Sequence, residues 1–198
     1  MNNHKFIFDL ETTGLPRRGR NRKLNYKDLT SFDDCRIVSI SWILTHDEDD
    51  EKNVILDKSN YYVKPEGFDI PQSSTDVHGL TLEMLNEKGI SIHTIFHELL
   101  NMFSVKYNIT EIISHNIDFD LNVLKSELYR YNNISLLEKI ENARTYCTML
   151  NAQIKMDYYK WPKLNEAYRY FYNKDITNAH EAEYDTQYCY EIYKALVK

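Results

Sequence analysis

Two acidic residues end a hydrophobic segment near the amino terminus. The stretch FIFDLETTGLP, residues 6–16, places Asp9 and Glu11 directly after an apolar run. If that run is a β-strand, side chains two residues apart share a face, so Ile7 and both carboxylates lie on one face and Leu10 on the other. The carboxyl end of a strand is where open α/β sheets bind ligands. The pair alone is weak evidence for a site, because acidic residues at strand ends are usually solvated.

A second candidate segment is SHNIDFD, residues 114–120, which also follows an apolar strand directly. Asn116 or Asp118 can act simply as the cap of the helix that follows. Asp120 falls inside the first turn of that helix, where its carboxylate can face the end of the first strand.

A third candidate segment is HEAEYD, residues 180–185, at the start of the last predicted helix. The spacing predicts that His180 precedes the helix and that Asp185 lies inside it. An exposed helix with scattered acidic residues would have a similar pattern.

Taken together, the three segments supply four carboxylates and one histidine. Four carboxylates at one site require cations, and carboxylate oxygens suit hard divalent ions such as Mg²⁺ or Mn²⁺. Two such ions about 3.5–4 Å apart can activate a water, orient a phosphodiester and stabilise the entering and leaving oxygens. Histidine titrates near neutral pH, so His180 is suited to accept a proton from the attacking water.

The elements that must position these residues are predicted from hydrophobic periodicity. Strands are expected at 5–10, 36–44, 60–65 (ended by Pro65), 111–114 and 143–149, and helices at 81–88, 92–103, from 118, from 162 and at 182–197. The early strands can pair as antiparallel hairpins, whereas the later ones need helical crossovers. This order predicts an α/β domain with a mixed sheet. The acidic run between the second and third strands, residues 46–53, is expected to be a solvated hairpin loop.

Length and composition favour a single globular domain spanning residues 1–198. Cys35, Cys147 and Cys189 are far apart and form no C-x-x-C pair, so we expect reduced, packed thiols in an intracellular protein of the cytoplasm or nucleus. The apolar run at the amino terminus is too short for a signal peptide or a membrane span, so no membrane association is expected.

The net charge of −6 opposes long-range attraction to nucleic acid. One basic segment departs from this average and contains six basic residues and no acidic one: Arg17, Arg18, Arg20, Arg22, Lys23 and Lys27. The segment is either a solvated loop or a loop that contacts phosphates.

The three motifs resemble those of the DEDDh 3′-to-5′ exonucleases of the ribonuclease H-like superfamily, which include the proofreading subunits of bacterial replicative polymerases. FDLETTGL, HNIDFD and HEAEYD stand in the family's order, and RIVSISW, DVHGLT, YCTM and WPKL resemble its other landmarks. The resemblance covers nearly the whole chain. It implies a five-stranded mixed sheet flanked by helices on both faces.

The resemblance also implies roles for individual residues. Asp9, Glu11, Asp120 and Asp185 would bind two Mg²⁺ or Mn²⁺ ions, and His180 would be the general base. The residues expected against the terminal nucleotide are Thr12, Thr13, Leu15, His78, Leu80 and Phe119, although His78 can instead be a core or capping histidine. A sister subfamily has tyrosine at the position of Glu181, which favours the histidine form. The stretch at about 16–35, longer than in compact family members, carries the basic segment.

The implied function is hydrolysis of single-stranded 3′ ends to 5′-mononucleotides, with DNA favoured and a polymerase or other replication or repair protein as a possible partner. An RNA-directed exonuclease of the same family is the first alternative, since nothing in the motifs distinguishes the sugars. A catalytically inactive nucleic-acid-binding module is the second. His93 and His97 could bind zinc as an i, i+4 pair, but no third ligand stands at the required spacing.

Overall fold

A mixed β-sheet forms the centre of the molecule. The computed structural model describes residues 3–17, 23–46 and 54–198. Within them the strands are β1 (His4–Thr12), β2 (Ile37–His46), β3 (Val54–Tyr62), β4 (Ile109–Ser114) and β5 (Arg144–Cys147). Their spatial order is β3-β2-β1-β4-β5. The β1–β2 and β2–β3 pairs are antiparallel, while β1–β4 and β4–β5 are parallel. The predicted mixed sheet is therefore confirmed.

Helices cover both faces of this sheet. In chain order they are α1 (Gln72–His78), α2 (Leu82–Lys88), α3 (Ile92–Asn101), α4 (Ile117–Arg130), α5 (Ile134–Asn142), α6 (Thr148–Met156), α7 (Leu164–Tyr172) and α8 (Ala182–Val197). On one face, Phe6 and Phe8 of β1 pack into the main hydrophobic core with residues of α3, α4 and α5. On the other, Ile7 packs against Cys189 and Tyr190 of α8.

Several predicted element boundaries were wrong. The third strand begins at Val54 and ends at Tyr62 rather than spanning 60–65, because the centre of this edge strand is polar and its apolar residues do not alternate with polar ones. The fifth strand stops at Cys147, and Thr148 already begins α6. Helices α1, α5 and α6 were not predicted, and α7 begins at Leu164 rather than at residue 162.

Two charged segments of the sequence fall partly outside the described residues. Residues 47–53 of the acidic run and residues 18–22 of the basic segment are not described.

The three cysteines are free and buried, as expected of packed thiols. Across the described ranges, no helix combines the length and apolar character needed to cross a membrane. His93 packs edge-on against the Tyr131 ring.

A buried ion pair joins the start of β2 to α4. The Arg36 guanidinium donates to both Glu127 carboxylate oxygens, at 2.5 and 3.1 Å, and to the Tyr131 hydroxyl at 3.0 Å. The two charged side chains are 8 % and 1 % exposed. The guanidinium also lies over the Phe68 ring, 4.5 Å from its centroid. Each charge is therefore matched by an opposite charge in bidentate geometry.

Candidate active site

The first strand carries two of the candidate residues to the carboxyl edge of the sheet. Asp9 and Glu11 lie near the end of β1, which pairs with β2 on one side and with β4 on the other. Because β1 and β4 are parallel, their carboxyl ends meet at the same edge. The register with β2 shifts between Glu11 and Thr12, so a local irregularity ends the strand directly after the acidic pair. Because side chains alternate along β1, Ile7, Asp9 and Glu11 lie on one face of the strand, as predicted.

Asp120 reaches the same edge from the first turn of α4. Asn116 adopts a left-handed conformation with φ of 75°, which asparagine tolerates, and turns the chain sharply from β4 into the helix. The Ser114 hydroxyl at the end of β4 donates to Asp120 Oδ2 at 2.7 Å. Asp120 is only 3 % exposed, so this hydrogen bond holds a carboxylate that water barely reaches.

Asp185 approaches from α8, as the spacing of HEAEYD predicted. His180 precedes the helix, and its backbone N–H donates to Asp185 Oδ2 at 3.1 Å. His180 has a φ of 67°, an uncommon left-handed conformation for a residue that is not glycine. The second carboxylate oxygen, Asp185 Oδ1, is buried and has no hydrogen-bond partner among the described residues. Such an orphaned acceptor points to a missing positive partner.

Electrostatic interactions link the four carboxyl groups at this edge of the sheet. Burial, followed by the charges of Asp120, Asp185 and Glu11, holds the pKa of Asp9 well above its usual range.

Burial together with the neighbouring carboxylates raises the pKa of Glu11 to about 8. Burial is also the main cause that raises the pKa of Asp120 to about 7 and that of Asp185 to about 6. All four carboxyl groups of the folded chain thus ionise less readily than ordinary aspartate and glutamate side chains.

The donor set fits a hard divalent cation. Ligand atoms of Glu11, His180 and Asp185 lie within 4.8 Å of one another. Asp9 and Asp120 interact electrostatically with this cluster. Asp185 Oδ1 has no hydrogen-bond partner among the described residues. Carboxylate oxygens are the ligands that Mg²⁺ and Mn²⁺ prefer, and a cation would remove the repulsion that raises these pKa values.

A groove of about 380 Å³ opens beside the carboxylates. Its lining residues come from the end of β1, from α1 and from α4: Leu10, Glu11, Thr12, Gly14, Leu15, Ser73, Ser74, Val77, His78 and Phe119. Four of the six residues expected to contact a nucleotide, namely Thr12, Leu15, His78 and Phe119, therefore lie in this groove. Leu15 is 77 % exposed, so its side chain is accessible from the groove.

The other two expected contacts, Thr13 and Leu80, do not line the groove. The Thr13 hydroxyl donates to the Asp34 carbonyl at 3.0 Å and accepts from the Arg36 backbone N–H at 2.9 Å. Its side chain is thus occupied in holding the turn against the start of β2. Leu80 is buried beside Val38 and Leu85 in a small core cluster. Both residues support the groove from behind.

The turn that carries Leu15 is held close to the segment before β2. A Cβ at Gly14 would stand 2.9 Å from the Asp34 carbonyl oxygen, so only glycine fits there without displacement of backbone. The Thr12 hydroxyl donates to the Gly14 carbonyl at 2.8 Å. These contacts fix the groove wall relative to Glu11.

His78 lies in the groove as a neutral imidazole. Its Nδ1 accepts a hydrogen bond from the Leu80 backbone N–H at 3.0 Å, which leaves the proton on Nε2. Burial, and to a smaller extent His180, lowers the pKa of His78. His78 is thus both a cap at the end of α1 and part of the groove wall.

Sequence reasoning missed several contributors to this site, among them Leu10 and Gly14 in the groove wall. Ser73, Ser74 and Val77 belong to α1, whose seven residues are too few to show a helical period. Ser114 stands in the quoted motif SHNIDFD, but its hydrogen bond to Asp120 depends on how α4 folds back on β4. Pro71 before α1 and Gly79 after it were the available indications of a helix.

Comparison with known proteins identifies the family to which the chain belongs. The exonuclease family model, RNase_T, matches residues 6–193. The DNA polymerase III subunit epsilon of Rickettsia conorii is 32% identical over 139 residues, covering 68% of this chain and 49% of that protein. The Rickettsia felis subunit is 32% identical over 140 residues, covering 69% of this chain and 47% of that protein. The chain therefore spans about half the length of these relatives.

Solved structures show the same fold at low sequence identity. E. coli exonuclease I in complex with a dT13 oligonucleotide superposes with a TM-score of 0.71 at 17% identity, covering 98% of this chain and 40% of that one. A zinc-bound exonuclease I–ssDNA complex gives a TM-score of 0.70 at 18% identity, covering 99% and 40% of the two chains. With the family match extending over almost the whole sequence, the chain belongs to the exonuclease family.

Proposed function

We propose that this chain is a metal-dependent 3′-to-5′ exonuclease that releases 5′-mononucleotides from single-stranded 3′ ends, with DNA as the preferred substrate. The observation that carries the proposal is a cluster of four carboxyl groups, Asp120 and Asp185 buried and Asp9 and Glu11 partly buried, beside a groove of about 380 Å³. That volume lies within the range of small-molecule sites. In this proposal residues 1–198 form a single exonuclease domain, with a basic insertion at about 16–35.

The proposed cofactor is a pair of Mg²⁺ or Mn²⁺ ions held by Asp9, Glu11, Asp120 and Asp185. When bound, the ions would polarise the phosphodiester, lower the pKa of water and neutralise charge on the leaving oxygen. The family match and the zinc-bound neighbour are consistent with a divalent metal in this fold. The buried Ser114–Asp120 hydrogen bond keeps one ligand oriented.

The proposed general base is His180. Its side chain is exposed at the mouth of the site, yet lies within 4.8 Å of ligand atoms on Glu11 and Asp185. The backbone hydrogen bond to Asp185 fixes the segment that carries it. From this position a neutral imidazole can take the proton of the attacking water and pass it to solvent.

The terminal nucleotide is proposed to occupy the groove. Leu15 and Phe119 offer apolar surface to its base, and Thr12 and His78 form the groove wall beside its sugar. This assignment places the scissile phosphate beside Glu11, where the groove meets the carboxylates.

DNA is proposed as the substrate by similarity to proteins that act with DNA. The matched bacterial proteins are subunits of a DNA polymerase, and the superposed structures hold single-stranded DNA. By the same reasoning, a polymerase or another replication or repair protein is the proposed partner. An RNA-directed activity would require favourable contacts to the 2′-hydroxyl.

The decisive experiment is a degradation assay of the purified chain on end-labelled strands. Single-stranded DNA, a mismatched duplex and RNA of matched sequence are incubated with Mg²⁺ or Mn²⁺, and with EDTA as control. We expect nucleotides to be released one at a time from the 3′ end of single-stranded DNA, and no release in EDTA. Faster degradation of RNA would replace the DNA assignment. Absence of degradation together with absence of Mn²⁺ binding by calorimetry would favour an inactive binding module.

A further inference from the structure

A second surface, away from the groove, exposes large apolar side chains. It comprises four residues of α6, of α7 and of the segment between them, which we call the aromatic surface: Ile154, Tyr159, Trp161 and Tyr170. Their exposed fractions are 79%, 87%, 66% and 53%. Exposure of this size for several neighbouring apolar residues is typical of an interaction site.

The aromatic surface is connected to the carboxyl edge of the sheet. The imidazole of His115 donates from Nε2 to the Pro162 carbonyl at 3.0 Å, and its Nδ1 lies 3.0 Å from the Thr148 hydroxyl oxygen. His115 directly follows Ser114, whose hydroxyl binds Asp120. The segment that presents Trp161 is thus fixed, through one buried histidine, to the strand end that holds a candidate metal ligand.

The charge of this region differs from that of the chain as a whole. Residues 150–175 contain five basic and three acidic side chains, whereas the chain has a net charge of −6. Lys155 and Lys163 are exposed, and the Lys160 ammonium lies 5.5 Å from the Tyr158 ring centroid while it pairs with Glu166 at 2.7 Å. Aromatic and basic residues therefore alternate along this segment.

We propose that the aromatic surface is a second contact for the single strand, holding nucleotides that lie upstream of the one in the groove. Tyr159 and Trp161 would stack on bases, and Lys155 and Lys163 would contact phosphates. Stacking on aromatic side chains is tolerant of base identity, and basic residues beside them follow the backbone. The proposal rests on the proposed function for the substrate class, but it can be tested by binding alone.

Trp161 offers a direct optical test. The chain has two tryptophans, and the other, Trp42, is fully buried. Titration of the wild-type chain with a 12-nucleotide oligothymidylate in EDTA, where the strand is not hydrolysed, should quench the red-edge emission of Trp161 and protect it from acrylamide. Unchanged emission and unchanged acrylamide access in the presence of bound strand would overturn the proposal.

Variants test the contribution of the surface to affinity. Replacing Tyr159 and Trp161 together by alanine should weaken binding of the 12-mer by about tenfold or more, since a stacked base contributes roughly 1–3 kcal/mol. Tyr129→Ala is the matched control, because Tyr129 is 39% exposed at the far end of α4, and it should bind like the wild type. If the double variant binds the 12-mer with wild-type affinity, the proposal is overturned. The same holds if the only property that changes in the double variant is its self-association.

Hydrolysis of short and long strands separates this proposal from the proposed function. On a 12-mer the double variant should show a KM raised about tenfold with kcat unchanged, while hydrolysis of a dinucleotide, too short to reach the surface, should be unaffected. Equal loss on both substrates would overturn the proposal, because the segment would then only support the active site. If the wild type hydrolyses neither strand, the proposed function fails, and the binding titration still decides the role of the surface.

Discussion

Two regions of this molecule bury charge, and they do so in opposite ways. At the junction of β2 and α4, Arg36 and Glu127 form a bidentate pair with a further hydrogen bond from Arg36 to Tyr131. At the carboxyl edge of the sheet, four carboxyl groups converge, and Asp185 Oδ1 has no hydrogen-bond partner among the described residues. The first region is matched within the chain, whereas no ion pair among the described residues matches the carboxylates of the second.

The difference separates structural from functional use of buried charge. A matched pair holds elements together, and here it joins β2, whose backbone also binds Thr13, to the helix that carries Phe119 and Asp120. An unmatched cluster destabilises the fold and persists only where binding compensates for it. The matched pair therefore contacts the same helix, α4, that carries Asp120 of the unmatched cluster.

The largest expected effect is on catalysis, from Asp9→Asn. Replacing a ligand at the centre of the cluster should lower nucleotide release from a labelled oligonucleotide in Mg²⁺ by at least about a hundredfold, a cost that loss of even a supporting group of a metal site can reach. The same variant should melt at a temperature equal to or above the wild type in EDTA, because it removes a group whose ionised form the folded chain disfavours. Undiminished activity would contradict the site.

At the matched pair, Arg36–Glu127, removal of one charge should destabilise the chain, opposite to the effect expected at the carboxylate cluster. Arg36→Met leaves the Glu127 carboxylate buried and unpaired, and should lower the free energy of unfolding by about 3–5 kcal/mol. The double variant Arg36→Met/Glu127→Met removes both charges and should recover most of that loss in urea denaturation. If the single and double variants are equally unstable, the pair matters through packing rather than through its charges.

A smaller effect is expected in the way that folding stability depends on pH and on bound metal. The pKa of Glu11 is raised to about 8, above its unfolded value of about 4, so the folded chain binds more protons than the unfolded chain between these values. Stability of the metal-free chain should therefore fall as pH rises from 5 to 8, by roughly 1–3 kcal/mol.

Thermal melts in EDTA at several pH values check this linkage. Glu11→Gln should flatten the dependence, and saturating Mn²⁺ should reverse it, because metal binds the ionised carboxylates of the folded chain. A wild-type chain whose metal-free stability rises over this pH range would contradict the clustering of the carboxyl groups.

The smallest expected effect is from Ser114→Ala. The Ser114 hydroxyl lowers the pKa of Asp120 by binding its carboxylate, so its loss should cost about 1 kcal/mol and move the acid limb of the activity profile to higher pH. Rates measured from pH 5 to 9 test this shift. Ser126→Ala, whose hydroxyl bonds only within α4, is the control and should leave the acid limb unchanged.

Most of the architecture could be predicted from the sequence because it follows from local patterns. The period of two in β1 placed Asp9 and Glu11 on one face, and the five-residue spacing of HEAEYD placed His180 before α8 and Asp185 within it. Helices α1, α5 and α6 could not be predicted, since short helices leave too few periods. The polar edge strand β3 was misplaced because its partner, β2, determines where it lies.

The sequence by itself determined the fold class, the order of the motifs and the identity of the carboxylates, because residue type and spacing are properties of the chain. Only the tertiary structure decided which groove residues are free to bind. Thr12 and Thr13 are adjacent and chemically identical, yet one faces the groove while the hydroxyl of the other bonds to Asp34 and Arg36. Hydrogen bonds between segments distant in sequence make that difference, and no local pattern encodes them.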